Sequence, residues 1–292
     1  MDAILQIIIS GLTLGALYAL GAVGLALTYG TMRMFNMAHG VFMALGAYGA
    51  YYVAEVLGMP LVLALLAGIL TGGIVGALLH VLVVRFMLGN KNFEINILVA
   101  TAGVGILLQD VLLKTFGGFP FRQPVQVSGA VDLLGTRVPW QSLLILVVAF
   151  VLIGAMALVL TRTRFGMAIR ATAMNRDAAR LMGVNTVNTY LQVLIIAGIL
   201  AGAAGVMISS MATLSPEMGT NPAIRAFVIC VVAGLGSVGG AGITAFALGL
   251  IEAAIQYYIG ARFGLPILLA LVVVVLVRRP AGLFGREEVV RS

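Results

Sequence analysis

Apolar residues fall in long blocks along this chain, and polar residues collect in the links between them. A helix that crosses hydrocarbon needs about 20 apolar residues, each adding about 1.5 Å. Residues 5–29, 61–84, 95–113, 142–160 and 190–211 have that character. Residues 37–57 are less apolar and are interrupted by His39-Gly40. After Ser215-Pro216, residues 223–235 and 265–277 are short, and a glycine-rich run over 234–242 precedes the apolar stretch 243–259. Short, glycine-broken apolar segments mark discontinuous helices, whose irregular backbone must be buried in protein or line a cavity. The link 117–141, with Pro120, Pro124, Pro139 and Trp140, reads as loop with room for a short hairpin. The pattern predicts an all-α, polytopic transmembrane helix bundle of about eight or nine spans, some short or broken. Residues 1–292 form one transmembrane domain, in which 223–259 can hold one, two or re-entrant segments.

Composition places the bundle in lipid. Hydrophobic residues make up 62% and charged residues 9%, against roughly a quarter charged in a soluble domain; the mean hydropathy is +1.14. The 37 glycines suit helices packed closely in a membrane. Met1-Asp2-Ala3 lacks the basic region and cleavage site of a secretory signal, so the first apolar run is expected to be retained. A single cysteine, Cys230, excludes an intramolecular disulfide and a Cys-rich metal site.

The net charge of +7 comes from Lys and Arg clustered in links, without interleaved aromatics, and points to membrane topology rather than nucleic acid. Placing residues 162–180 in the cytoplasm also puts Arg33, Arg85, Lys91, Arg278, Arg279, Arg286 and Arg291 there. Lys114, Arg122, Arg137, Arg225 and Arg262 then lie outside. The bias predicts an external N-terminus and a cytoplasmic tail over 278–292.

The largest polar interruption joins directly to a small-residue span: residues 166–207 read GMAIRATAMNRDAARLMGVNTVNTYLQVLIIAGILAGAAGVM. On a helical wheel Ala168, Ala171, Ala178 and Met182 gather toward one side of 166–182. Arg170, Asn175 and Asp177 are polar, and Arg180 can pair with Asp177 at i,i+3. Gly183 suits a helix C-terminus, and Asn185, Asn188 and Thr189 supply cap chemistry for the next span. The residues alone fit two readings: a basic segment resting on anionic headgroups, or a lever gripped by a soluble partner.

The pattern G-x-x-I-R-A-x-x-x-x-x-x-A-A-x-x-x-G-V-N, followed by the small-residue run 197–205, resembles the cytoplasmic coupling segment of permease subunits of branched-chain amino acid ABC importers. Three further motifs agree. Residues 11–30, with Gly15-Ala16-Leu17-Tyr18-Ala19-Leu20, are similar to that family's first span. Asn36-Met37-Ala38-His39-Gly40 with Gly46-Ala47-Tyr48 is similar to its second-span motif. Arg279-Pro280-Ala281-Gly282-Leu283-Phe284-Gly285 is similar to its C-terminal signature. One departure is Val41, where relatives often carry an acidic or polar residue.

The resemblance implies a coupling segment over 162–189, with Gly166, Arg170, Ala171, Asp177, Ala178, Ala179 and Gly183 at the contact with an ATPase. It implies two ATP-binding subunits on the cytoplasmic face and a second homologous permease, in a heterodimer of which this chain resembles the smaller type. A periplasmic or extracellular substrate-binding protein would dock on 117–141 and 214–223. The setting would be a bacterial inner membrane, with lipid as the solvent. The cargo would be a branched-chain or related amino acid; the same architecture also suits urea or short amides.

No G-x-x-x-x-G-K-[ST] loop is present, so this chain is not expected to hydrolyse ATP itself. No G-x-S-x-G elbow or H-E-x-x-H pair suggests an enzyme, and two histidines without clustered carboxylates or thiols suggest no metal site. No cofactor is expected. The rival function is an ion-coupled secondary transporter of small amino acids, which would need intramembrane carboxylates; Glu252 is the clearly deep one, with Gln256 one turn on. Asn36, His39, Gly40, Thr101 and Glu252 are the candidate translocation-path residues. Asp110 with Lys114 reads as an interfacial ion pair, and His80 as a helix-packing residue.

Overall fold

The computed structural model describes residues 2–89, 92–133 and 135–285. Lys91, Arg286, Arg291 and the end of the tail, invoked above for topology, lie outside the described residues.

The chain opens with α1 (Asp2–Met32), which ends at Arg33 in the left-handed region (φ 53°). Residues 33–38 are irregular, and α2 (His39–Tyr51) then continues through a π-helical turn, Tyr52–Val56. Pro60 starts α3 (Leu61–Leu79), which a second π-helical turn, His80–Val84, joins to the short α4 (Arg85–Met87). α5 (Phe93–Phe116) stops at Gly117, whose φ of 81° suits a residue without a Cβ. The link beyond it carries β1 (Phe121–Arg122) and the hairpin of β2 (Ala130–Leu133) and β3 (Thr136–Pro139). α6 (Trp140–Arg162) follows, then α7 (Arg164–Met174), α8 (Arg176–Leu181) and α9 (Thr186–Met211). Next come β4 (Thr213–Leu214), which pairs with β1, and the short α10 (Thr220–Ala233). α11 (Val238–Tyr258), a 3₁₀ turn over Ala261–Phe263, and α12 (Gly264–Arg278) complete the bundle.

Among the described residues seven helical stretches are long and apolar enough to cross a membrane, including Leu61–Met87 and Ala261–Arg278. The 13-residue α2 with its π turn and the 14-residue α10 supply the short segments. The uncertain stretch 223–259 resolves into α10, a glycine turn and α11. One end of the bundle carries the hairpin; the other carries α7, α8 and most of the basic links, and is called the basic end below.

The two short helices explain the architecture. α2 begins beside Gly21, with His39 Nε2 3.1 Å from the Gly21 carbonyl oxygen, roughly 17 Å of helix short of Met32 at ~1.5 Å per residue. It runs toward the hairpin end, where Gln123 Nε2 donates to Ala47 O at 3.0 Å. α10 begins against α2, with Gly40 and Gly219 in mutual backbone contact, and runs the other way until Gly236 meets Gly30 at the basic end of α1. Two half-helices thus meet N-terminus to N-terminus inside the bundle. Each follows a long helix and precedes another: α1, α2 and α3 on one side, α9, α10 and α11 on the other, in inverted directions. The long helices are exchanged, with α1 packed on α10 and α11, and α9 packed on α2 and α3. The α3–α9 contact depends on glycine: a Cβ on Gly72 would strike the Gly198 carbonyl, and one on Gly198 the Gly72 carbonyl. Such backbone proximity is how helices gain dispersion contacts where burial in lipid supplies little drive.

Candidate functional site

A cavity of about 450 Å³ lies where the half-helices meet. Asn36, His39, Gly40, Gly219 and Thr220 supply its polar and small-residue wall; Leu25, Phe35, Val41, Ile106 and Phe227 are among its apolar lining. A volume of this order suits a small organic molecule, and no lining residue is charged.

The irregular backbone over 33–38 delivers these groups to the middle of the bundle. Asn36 Oδ1 accepts from Ala38 N at 3.0 Å, which turns the chain into α2. Thr101 Oγ1, from α5, accepts from Met37 N at 3.1 Å and donates to Leu98 O at 3.1 Å. Thr101 is buried and is not a lining residue; it fixes the re-entrant strand from behind. His39 is 1% exposed, and the carbonyl oxygen of Gly21 can only accept, so Nε2 carries the proton and Nδ1 is left as a bare acceptor. Asn36, His39, Gly40 and Thr101 therefore converge on one place.

Glu252 does not join them. It is fully buried on α11 and takes a hydrogen bond from Tyr18 Oη (2.8 Å), an ion pair from Arg225 Nη2 (3.1 Å) and a bond from Gln256 Nε2 (3.2 Å). Arg225, assigned from the sequence to an outer link, sits on α10 inside the bundle, 22% exposed and 5.6 Å over the Tyr18 ring. A lone arginine in an apolar run signals a buried partner as readily as a boundary, and its partner lies 27 residues away. The outer-loop assignment of 214–223 changes for the same reason: from Gly219 onward the backbone is inside the bundle, and Ala223 lines the cavity. The surface pair Lys114–Asp110 forms as expected, at 2.7 Å.

The basic end carries the second candidate region. The amphipathic segment is two helices rather than one, broken at Asn175 (φ −158°), whose Oδ1 accepts from Ala178 N at 3.0 Å and so caps α8. Thr163 caps α7 in the same way through Gly166 N at 3.1 Å. A Cβ on Gly166 would strike the carbonyls of Val159 and Leu160, so this glycine permits the tight turn from α6. Arg170 donates to Leu160 O, tying α7 to the last turns of α6. Arg176 lies 5.6 Å over the Tyr190 ring of α9. Gly183 takes φ 83° and ends α8, while Asn185 caps α9.

Among the predicted contact residues, Asp177, Ala178 and Gly183 are exposed, Ala171 is half-buried, and Gly166 and Ala179 face inward. The expected Asp177–Arg180 pair does not form among the described residues; Asp177 instead occupies the first turn of α8, where a negative charge suits the helix dipole. Sequence reasoning picked out Met182 but missed Met174 and Leu181, which share its exposed apolar tip: Met174, Leu181 and Met182 are 88%, 89% and 85% exposed. It also missed Gly219, Thr220 and Gln109 at the cavity. For Gly219 and Thr220 the available signal was Pro222 directly after Gly219-Thr220-Asn221, a helix start, placed in a short span that mirrors residues 37–57.

Known permease proteins are similar to this chain over most of its length. Residues 7–277 match the family described as branched-chain amino acid transport system / permease component. The chain is 30% identical to the high-affinity branched-chain amino acid transport system permease protein BraD of Pseudomonas aeruginosa, over 98% of this chain and 97% of that one. It is 29% identical to the corresponding protein LivH of Escherichia coli K12, over 98% and 96%. It is 31% identical to the probable branched-chain amino acid transport permease protein LivH of Methanocaldococcus jannaschii, over 85% and 80%. With seven helices of membrane-spanning character among the described residues and a family match over nearly its whole length, the chain is an integral membrane protein that belongs to the branched-chain amino acid transport permease family.

Proposed function

We propose that this chain is the permease subunit through which a branched-chain or related amino acid crosses the inner membrane, by alternating access driven by two partner ATPase subunits. The observation that carries the reading is the cavity between opposed half-helices, walled by Asn36, His39 and Gly40. An irregular backbone that lines a cavity halfway through an inverted pair is the arrangement in which a small solute can be reached from either side as the halves rock. A second homologous permease completes the path as a heterodimer; in support, the cavity lies against Ile106 of α5, which is 71% exposed. A substrate-binding protein delivers cargo at the hairpin end, and that end with the N-terminus is external. The ATPases grip the basic end, where Ala178, Leu181 and Met182 are exposed together. Glu252 is engaged by Arg225, Tyr18 and Gln256, which favours ATP drive over ion coupling through this carboxylate.

The test is uptake by the purified chain in vesicles, first with an ion gradient alone, then with partner subunits, binding protein and ATP. ATP-dependent accumulation that resists ionophores is expected. Gradient-driven accumulation by the chain alone would replace this reading with that of a secondary carrier.

A further inference from the structure

Every group that meets the cavity between α2 and α10 is uncharged, yet several are unsatisfied. Asn36 is 4% exposed and its Nδ2 has no partner; His39 is 1% exposed and its Nδ1 has none. Both residues line the cavity. Among the described residues the backbone N–H groups of Gly40 and Val41, in the first turn of α2, also find no acceptor, because the first helical bond is Phe42 N to Ala38 O. Burying a polar group without a hydrogen bond is costly, and four such groups at one cavity form a set of contacts open to a polar ligand.

Their chemistry separates into two kinds. Asn36 Nδ2 and the two N–H groups are donors at the positive end of a 13-residue helix, a setting that favours an anion. His39 Nδ1, with its proton held at Nε2 by Gly21 O, is an acceptor. The opposing helix is poorer in donors, since Pro222 in its first turn has no N–H. The absence of Lys or Arg from the lining argues against a phosphate, which usually recruits them. Leu25, Phe35, Ile106 and Phe227 form an apolar wall for a hydrocarbon side chain.

We propose that the cavity is a binding site for an aliphatic α-amino acid zwitterion, its carboxylate at the N-terminus of α2 with Asn36 Nδ2 and the Gly40 and Val41 N–H groups, and its ammonium toward His39 Nδ1. This rests on the permease reading and specifies how that path recognises its cargo. The two half-helix ends make the site reachable from both halves of the bundle, and neutral groups hold the solute without the protein burying a charge of its own. Release then needs no titration, which fits a waypoint better than a tight store.

Saturation-transfer NMR on the full chain in lipid nanodiscs tests the site with three probes: L-leucine, 4-methylpentanoate, which lacks the ammonium, and 3-methylbutylamine, which lacks the carboxylate. L-leucine is expected to bind best and 4-methylpentanoate to compete with it, while the amine is weaker by about tenfold. Asn36→Asp keeps the Oδ1 that caps Ala38 but replaces the free donor with an oxygen. It should weaken both carboxylate probes by about tenfold and spare the amine. His39→Gln, which can keep a donor for Gly21 O, should leave 4-methylpentanoate unchanged and narrow the advantage of L-leucine over it. Equal binding of acid and amine, unaltered carboxylate binding in folded Asn36→Asp, or no saturable binding by wild-type chain would overturn the proposal. ATP-driven leucine uptake by the complex without such binding would remove the site and leave the permease reading intact. Carboxylate binding without any ATP-driven uptake would do the reverse.

Discussion

Removing Arg225 should harm this protein more than removing Glu252, and removing both charges should restore it. Glu252 is fully buried and Arg225 is 22% exposed, so the carboxylate has no water to fall back on while the guanidinium does. Stripping one partner from a buried pair costs about 3–5 kcal/mol, whereas replacing the pair with neutral groups of similar size is often neutral. Arg225→Met is therefore placed in that range. Glu252→Gln should cost less, because a neutral amide oxygen still accepts from Tyr18 Oη, now 2.8 Å from the carboxylate, and Arg225 can turn toward its exposed side. The combination of Glu252→Gln with Arg225→Met should lie within about 1 kcal/mol of the parent, since no charge is left without a partner. The assay is the fraction of monodisperse chain surviving a temperature ramp in detergent. On the scale of about 2–4 °C per kcal/mol for domains of comparable size, Arg225→Met should melt on the order of 6–20 °C early. A double variant as unstable as Arg225→Met would refute the electrostatic account. A stable double variant that assembles but has lost ATP-driven uptake would show that the Arg225–Glu252 pair takes part in transport itself.

At the basic end, Ala178→Trp adds bulk at an exposed position of α8 without entering the core; it should insert and fold normally yet lose ATPase binding or uncouple hydrolysis from uptake. Co-purification and uptake measure this, and unimpaired transport would remove Ala178 from the docking surface. For orientation, Gly118→Cys and Met182→Cys in a Cys230→Ala background should react with an impermeant thiol reagent only from outside and only from inside, respectively. Cys230 is buried against Ala22 O at 3.0 Å, so its replacement leaves the ends of the bundle untouched; reversed labelling would invert the topology.

Much of the fold was legible because hydrocarbon imposes a length rule on every span, and residues such as Pro60, Gly117, Gly183 and Asn185 end or begin helices for local reasons. Features set by long-range packing were less so. Asn175 splits the basic segment because its side chain can cap α8, but the same residue on a helical wheel is simply polar. Arg225 reads as a boundary until its partner on α11 is known. The cavity was half legible: Asn36, His39 and Gly40 stand out as polar or flexible residues in an apolar run, and Thr101 is tied to their backbone. Gly219 and Thr220 do not stand out, because only the inverted pairing of α2 and α10 brings them opposite Gly40. Glu252, the most conspicuous residue by charge, lies elsewhere because a deep carboxylate in this fold already has three partners.

The half-helices also explain how a push at the basic end could reach a cavity with no charged group to pull on. α7 is tied to α6 through Arg170, and Arg176 stacks on Tyr190 at the start of α9. α9 is packed without slack against α2 and α3: a Cβ on Gly205 would strike the Met43 carbonyl, and one on Gly46 would enter the backbone of Gly202. Close-packed backbones transmit displacement rather than absorb it. α10 is held at its far end, where Leu283 N and Phe284 N donate to Val232 O and Ala233 O, both at 2.8 Å, so the C-terminal signature caps its last turn. α1 also packs on α9, and His39 of α2 bonds to Gly21 of α1, so on the proposed reading those contacts are where α2 with α9 slides past α10 with the tail. The cavity between their N-termini then opens or closes as the distance between Gly40 and Gly219 changes, and the two glycines permit the closest approach that any pair of residues could make.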